Sequence, residues 1–484
     1  MYLLAVAALL LVSAHAQAAP KISRLIVQPA SLELHDAGDE HGIIVTAVGQ
    51  DGSFSDVTAQ AKFVSKQPNI VAVTTNGVCR PVADGTAEVL VSFDGRSERV
   101  LVTVTGASRR PTPSFRQDVL PVLTKAGCNA GACHGKLAGQ NSFKLSLRGY
   151  APEWDIDWLT REVMGRRVDV AFPEESLLVQ KALGRVPHQG GMRFEEGSRY
   201  HRALIDWIGA RVPGPATNEA DVARLEVLPG QRVMRPGESQ QLLVRGHYQD
   251  GRVRDVTWLA QFFSNDEATL QVSERGVVKA LRSGEAPVRV HFQGHVEVVI
   301  FTMPHTNKVS PALFAKKNNR VDEAVMVKLQ TLHLPPSELC DDAAFVRRAF
   351  LDAIGTLPTG EEARAFVADR RADKRARLVE SLLARPEYVD YWTLQFADLL
   401  QNRKERDHDV RGPKGVRAFH AWLREQMAAN RPWNALARDV LTATGDGGAR
   451  PEIGYYVTLV GEKKPEESEV TDGVAQSFLG NRVG

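Results

Sequence analysis

The sequence predicts a multidomain protein in which two all-β sandwiches flank an all-α segment and are followed by a mainly α-helical part. Runs of β-branched residues with turn signals between them fill residues 22–106, which is typical of a sandwich. A similar pattern returns about 200 residues later, at 222–303. Residues 112–212 and 308–484 instead show apolar residues at helical spacing. At 484 residues the chain is too long for one core, so several domains are expected.

The two β segments are copies of one unit. The stretch Asp51–Thr58 (DGSFSDVT) has its counterpart in Asp250–Thr257 (DGRVRDVT), and each begins with an Asp-Gly pair that favours a hairpin turn. With these landmarks, both segments resemble bacterial immunoglobulin-like domains of group 2. Cys79 aligns with Val278 in the second copy, so it is expected to be a small buried hydrophobe rather than a ligand.

The N-terminus predicts export. Met1–Val12 is apolar and is followed by small residues that fit a signal-peptidase site, which indicates a signal peptide over 1–19. The alternative is a buried N-terminal helix. No later run is long enough to span a membrane, and a net charge of +2 excludes a broad basic surface for nucleic acid.

The segment 112–212 is organised around Cys128, Cys133 and His134. A helix over Phe115–Leu123, with Ser114 as its cap, leads into this motif, and a second amphipathic helix covers Tyr200–Ile208. Two thiols followed by a histidine can attach a haem covalently and ligate its iron. The usual spacing is Cys-x-x-Cys-His, whereas four residues separate the cysteines here.

Three interpretations of this motif are open. In the first, Cys128 and Cys133 form thioether bonds to haem c and His134 is the proximal iron ligand. In the second, the cysteines form a disulfide beside a surface histidine. In the third, the three residues bind zinc, which needs a fourth ligand from elsewhere.

The distal iron ligand is expected from the loop 186–194, which contains His188 and Met192. Met192 would give a His/Met pair of iron ligands, which raises the reduction potential relative to two histidines. Either residue can equally be an ordinary loop residue.

Three motifs link the chain to a known group. Phe345–Thr359 (FVRRAFLDAIGTLPT) is close to a signature of a helical domain, and Gly131–Asn141 and Phe143–Tyr150 accompany the cysteine motif. With them, the chain resembles planctomycete-type cytochrome c family proteins that carry the domain of unknown function 1549. The resemblance implies a cytochrome c-like fold over 112–212 and a covalent haem c. It also implies a "PHxGG" loop at His188, which makes His188 the first choice as distal ligand and Met192 the second. In similar proteins a second Cys-x-x-Cys-His motif follows, so the helical domain at 308–484 is expected to be incomplete.

These observations predict an exported haem protein that transfers single electrons at the periplasm or cell surface, an electron carrier more than an enzyme. Its redox partner is unknown, and the immunoglobulin-like domains would contact cell wall or polysaccharide. The alternative is a non-redox surface-binding or adhesion protein that uses those domains and has a degenerate haem site.

Overall fold

The structure is a computed structural model that describes residues 21–402, 412–456 and 467–481. The predicted signal peptide lies outside the described residues. The chain divides into two compact units, with the boundary between Pro336 and Ser337. The first unit is built on β-sheets and the second is helical, and each is described by itself.

The first β-sandwich contains ten strands in three sheets with the orders β1-β4-β5, β2-β10-β9-β6 and β3-β8-β7. The long hairpin of β9 and β10 alternates buried and exposed side chains, as a sheet with one face on a core requires. Cys79 is fully buried in this core, as predicted, and burial raises the pKa of its thiol to about 12. The strands are β1 Ile22–Gln28, β2 Ser31–Leu34, β3 His41–Gly42, β4 Ile44–Gly49, β5 Phe54–Asp56, β6 Lys62–Ser65, β7 Val71–Val73, β8 Val78–Pro81, β9 Gly85–Phe93 and β10 Arg96–Val104.

The second sandwich repeats the first strand for strand. Its sheets have the orders β11-β14-β15, β12-β20-β19-β16 and β13-β18-β17, and β12 pairs in parallel with β20 as β2 does with β10. The strands are β11 Val222–Leu228, β12 Gln231–Val233, β13 Ser239–Gln241, β14 Leu243–Tyr248, β15 Val253–Asp255, β16 Gln261–Ser264, β17 Leu270–Val272, β18 Val277–Ala280, β19 Gly284–Phe292 and β20 His295–Met303.

The two copies contact each other through the aspartates of their repeated motif. Asp255 accepts a hydrogen bond from Thr257 N (2.9 Å) in its own sandwich and another from Gly42 N (2.8 Å) in the other one. Asp56 of the first sandwich makes the equivalent contacts. It accepts a hydrogen bond from Thr58 N (2.9 Å) in its own sandwich and another from Gln241 N (2.5 Å) in the second sandwich. We call this pair of contacts the reciprocal clamp.

The prediction of a separate all-α cytochrome c-like domain between the sandwiches is wrong. Residues 112–212 contain only short helices joined by irregular chain. Their buried side chains, such as Phe115 and Trp207, belong to the same apolar cluster as Val244 and Phe301 of the second sandwich. Helices this short cannot enclose a core of their own, so they bury their apolar faces against the sheet. The helices are a π-helix at Phe115–Val119, α1 Leu120–Lys125, α2 Pro152–Thr160, α3 Leu177–Ala182 and α4 Arg199–Gly209.

The first unit ends in α5 (Arg320–Leu332), and the second unit is helical as predicted. Its helices are α6 Asp342–Ile354, α7 Gly360–Ala368, α8 Lys374–Leu383, α9 Pro386–Leu399, α10 Gly412–Ala428, α11 Trp433–Leu441, α12 Glu467–Val474 and a π-helix at Ala475–Leu479.

Local signals explain where these helices start and stop. Thr359 and Glu362 form a capping box at the start of α7, and Gly355 ends α6 in the left-handed region. Two small apolar clusters hold the unit, one around Phe350 and one around Phe419. Within the described ranges, no helix is both long and apolar enough to cross a membrane.

Candidate functional site

The cysteine motif lies on tight turns that directly follow α1. As predicted, Ser114 caps the start of this helical stretch, the π-helix that precedes α1, by accepting a hydrogen bond from Gln117 N. The turns then bring His134 N within 3.1 Å of the Cys128 carbonyl oxygen. Gly135 is required here, because a Cβ atom on it would lie 2.1 Å from Asn129 O. The motif therefore has a compact, defined backbone.

Both cysteines of the motif are free thiols in the structure. Burial raises the pKa of Cys128 to about 11, so its thiol is protonated at neutral pH. The Arg193 guanidinium lies 3.5 Å from Cys133 Sγ. The structure thus keeps both cysteines as separate thiols and does not contain the disulfide of the second interpretation.

The structure brings His134 next to His188. Their rings are parallel within 4° and their centroids are 6.3 Å apart. His134 Nδ1 lies 3.0 Å from Phe143 O, and His188 Nδ1 lies 3.0 Å from Gly191 O. A carbonyl can only accept, so each Nδ1 donates and each Nε2 is the basic nitrogen. Burial lowers the pKa of His134, with His188 adding to the effect, so its ring is neutral at pH 7.

The distance between the two ring centroids can be compared with that of two imidazoles bound to one metal. Two imidazoles that ligate one metal from opposite sides place their centroids about 6 Å apart, because each metal–nitrogen bond is about 2.0–2.1 Å long. The chemistry of the donors agrees, since each ring offers a neutral Nε2. Met192, the second choice as distal ligand, is 61% exposed, and its Cβ packs near Gly184. The assignment of all five residues, Cys128, Cys133, His134, His188 and Met192, stays a prediction.

Phe143 and Arg167 support His134 in a way that the sequence does not show. The Phe143 ring packs 4.4 Å from His134, between centroids, and Arg167 stacks over Phe143 at 4.5 Å. Arg167 also donates to the carbonyls of Trp158 and Ser142. A loop phenylalanine and one arginine in a basic run carry no periodic signal, so only the folded chain reveals that they pack together beside His134.

The structure corrects one part of the functional description. Among residues 21–402, 412–456 and 467–481, no group of three or more His, Cys, Asp or Glu side chains is arranged to hold a metal ion. The description of the chain as a cytochrome c-like, haem-binding and metal-binding protein is therefore wrong in two respects: residues 112–212 do not form a separate cytochrome fold, and the described ranges contain no metal site of three or more such ligands. Cys128, Cys133 and His134, the residues of the zinc interpretation, are likewise not grouped as a metal site in the described ranges. The haem c and its two axial ligands are a separate prediction, which neither finding tests.

A family comparison identifies the helical part. Residues 320–484 match the PSCyt2 family, described as "Protein of unknown function (DUF1549)". The predicted DUF1549 domain is thereby confirmed for this range. No family match supports the cytochrome c portion, and no curated protein matches the chain.

Similar solved structures include surface proteins, at low similarity. The S-layer protein SbsC, domains 1–6, is 11% identical over 61% of this chain, with a TM-score of 0.16. SbsC domains 5–6 are 11% identical over 59% of this chain and all of that one, with a TM-score of 0.25. BT4661, a SusE-like polysaccharide-binding protein from Bacteroides thetaiotaomicron, is 10% identical over 58% of this chain and 34% of that one, with a TM-score of 0.12. This chain spans 29% of the first of these structures. TM-scores this low carry no argument for fold or function.

Proposed function

We propose that the protein is an exported surface-binding protein whose paired sandwiches form a rigid binding body. The observation that carries this proposal is the reciprocal clamp, in which each motif aspartate ties its own turn to a backbone amide of the other copy. Together with the core shared by the second sandwich and the segment 112–212, the clamp supports one stiff unit with a large fixed surface. A stiff surface loses little entropy when it binds an extended partner.

The test is co-sedimentation of the mature chain with isolated cell envelopes of the producing bacterium. We expect the chain to pellet with the envelopes and to remain in the supernatant without them. Lipid vesicles made from the same cells are the control, because they lack cell-wall and surface polymers. A chain that stays in the supernatant with envelopes contradicts the proposal.

A second proposal rests on the parallel rings of His134 and His188. We propose that these two residues and the thiols of Cys128 and Cys133 hold the haem c that the sequence predicts, outside a cytochrome fold. Bound there, haem supplies a centre for one-electron transfer. The chain's own part is to fix both imidazoles through carbonyl hydrogen bonds and to cover one of them with Phe143.

This second proposal is tested by producing the chain with haem maturation machinery and recording the pyridine spectrum of the denatured protein. Haem that stays on the polypeptide supports the proposal, and the double variant Cys128→Ala, Cys133→Ala is then expected to be colourless. His188→Ala is expected to change the ferric spectrum, whereas Met192→Ala leaves it unchanged. A colourless protein refutes the haem proposal and leaves the surface-binding proposal unaffected.

A further inference from the structure

A cavity of about 750 Å³ opens between the segment 112–212 and the second sandwich, away from His134. One wall is the turn that carries Arg148 and Tyr150, and the opposite wall is the tip of the β19–β20 hairpin, with Gln293 and His295. Its volume is in the range that holds small ligands, about 300–1,000 Å³. No function described above uses it.

Two residues that line this cavity each carry a buried polar atom without a hydrogen-bond partner in the described part of the chain. Glu219 Oε2 and His291 Nε2 are both shielded from solvent and make no hydrogen bond within the described part of the chain, and both residues line the cavity. Leaving such an atom unpaired costs about 1–3 kcal/mol. These two atoms are closed to a molecule the size of water, so a ligand reaches them only after a small rotation of each side chain. A ligand hydroxyl can then donate to the carboxylate, and can donate to or accept from the imidazole nitrogen.

One exposed aromatic ring lines the cavity and a second lies next to that ring. Tyr150, which lines the cavity, is 69% exposed, and the neighbouring Trp154 is 54% exposed. Their ring centroids are 6.2 Å apart in an edge-to-face arrangement. Large aromatic surfaces left open to water beside a polar cavity mark a binding site.

The backbone before Tyr150 adopts a strained conformation that positions the aromatic rim, by which we mean Tyr150 and Trp154. Arg148 and Gly149 both adopt positive φ (58° and 76°), which turns the backbone so that Tyr150 projects outward. Gly149 admits no side chain, because a Cβ atom would lie 2.7 Å from Leu120. Fully buried Asp155 then accepts hydrogen bonds from Ser146 N and Ser146 Oγ, both at 2.5 Å, and so ties α2 to the turn.

The charges in the cavity balance. Arg116 forms an ion pair with Asp221, and one further arginine, Arg148, and one further carboxylate, Glu219, line the cavity. A phosphate or polyanion would meet two carboxylates here, and a cation would meet two guanidinium groups. Balanced donors and acceptors beside flat apolar rings are the surface that an uncharged sugar needs, because a pyranose has hydroxyl groups at its edge and C–H bonds on its faces.

We propose that this cavity and its rim, Tyr150 and Trp154, bind a neutral polysaccharide. The inference rests on the proposed surface-binding function and names the class of polymer that the surface recognises. Tyr150 stacks on one sugar ring at the mouth, and Glu219 and His291 hydrogen-bond to hydroxyl groups of the sugar that enters.

The test is native electrophoresis of the mature chain through gels that contain one soluble polysaccharide each. The neutral probes are hydroxyethylcellulose, xylan, laminarin, galactomannan and dextran, and alginate is the anionic probe. We expect at least one neutral polymer to retard the chain. Tyr150→Ala is expected to weaken that binding about tenfold or more, as loss of a central aromatic contact does, and Glu219→Gln and Trp154→Ala to weaken it as well.

Phe172→Ala is the matched control, because Phe172 lies in the same segment and is 67% exposed. In the described part of the chain it neither lines the cavity nor packs against the Tyr150 ring as Trp154 does. It is expected to bind like the unaltered chain. Retardation by alginate alone, or equal retardation of the Tyr150→Ala variant, overturns the inference. A chain that no gel retards also overturns it and leaves water as the partner of Glu219 and His291. Envelope co-sedimentation separates the surface-binding proposal from this polysaccharide site. If the Tyr150→Ala variant still pellets with envelopes, surface binding stands and the proposed site is wrong.

Discussion

Replacing Asp255 tests whether the reciprocal clamp makes one body of the two sandwiches. Asp255 accepts two backbone hydrogen bonds, one from Thr257 N in its own turn and one from Gly42 N in the other copy. A hydrogen bond to a charged group contributes about 1.5–3 kcal/mol. Asp255→Asn keeps the acceptor for Thr257 but turns an amide donor toward Gly42, so it should cost about 1.5–3 kcal/mol. Asp255→Ala loses both bonds and should cost about 3–5 kcal/mol.

Hydrogen exchange at the Gly42 amide measures this directly. In Asp255→Asn we expect exchange there to speed up about tenfold to a hundredfold, the factor that corresponds to the lost free energy. Asp250→Asn is the control, because Asp250 belongs to the same repeated motif but bonds only to Arg252. Gly42 exchange that stays within about a factor of two in Asp255→Asn would refute the reasoning.

Three further predictions concern stability. His41 is buried with its Nε2 unpartnered, and burial lowers its pKa, so the unfolded chain binds a proton near pH 6.5 that the folded chain does not. Stability of the first unit should therefore fall as the pH drops below about 6.5, and His41→Gln, which copies the aligned Gln240, should flatten that dependence in urea titrations. Trp207→Ala removes a fully buried ring and should cost about 3–5 kcal/mol in denaturant unfolding, whereas exposed Trp154→Ala should stay within about 0.5 kcal/mol; equal losses would contradict the described core. Thr359→Ala breaks the capping box of α7 and should cost about 1 kcal/mol, with Thr359→Ser restoring most of it; circular dichroism during thermal unfolding checks both variants.

Local elements were predictable because their signals are local. The Asp-Gly turns and the Asp-Val-Thr repeat of residues 51–58 and 250–257 predict two equal sandwiches, and Ser114 predicts a helix start, since each depends on neighbours in sequence. The helix boundaries of the second unit follow from its Pro, Gly and Thr residues in the same way.

Long-range relations were not predictable from single residues. Periodicity shows that Phe115 and Trp207 are buried but not what they pack against, and they pack against the second sandwich rather than forming a separate domain. The cavity residues Glu219 and His291 are 72 positions apart in a chain that offers no motif joining them. The pairing of His134 with His188 was expected only through the family resemblance.

Envelope co-sedimentation tests the central claim, a stiff surface-binding body, most directly. It should be run with the unaltered mature chain and with the double variant Asp56→Ala, Asp255→Ala, which keeps the surface residues but removes the reciprocal clamp. The account predicts that the unaltered chain pellets with envelopes and that the variant pellets less, because binding must then order the two sandwiches. An unaltered chain that remains in the supernatant would contradict the claim.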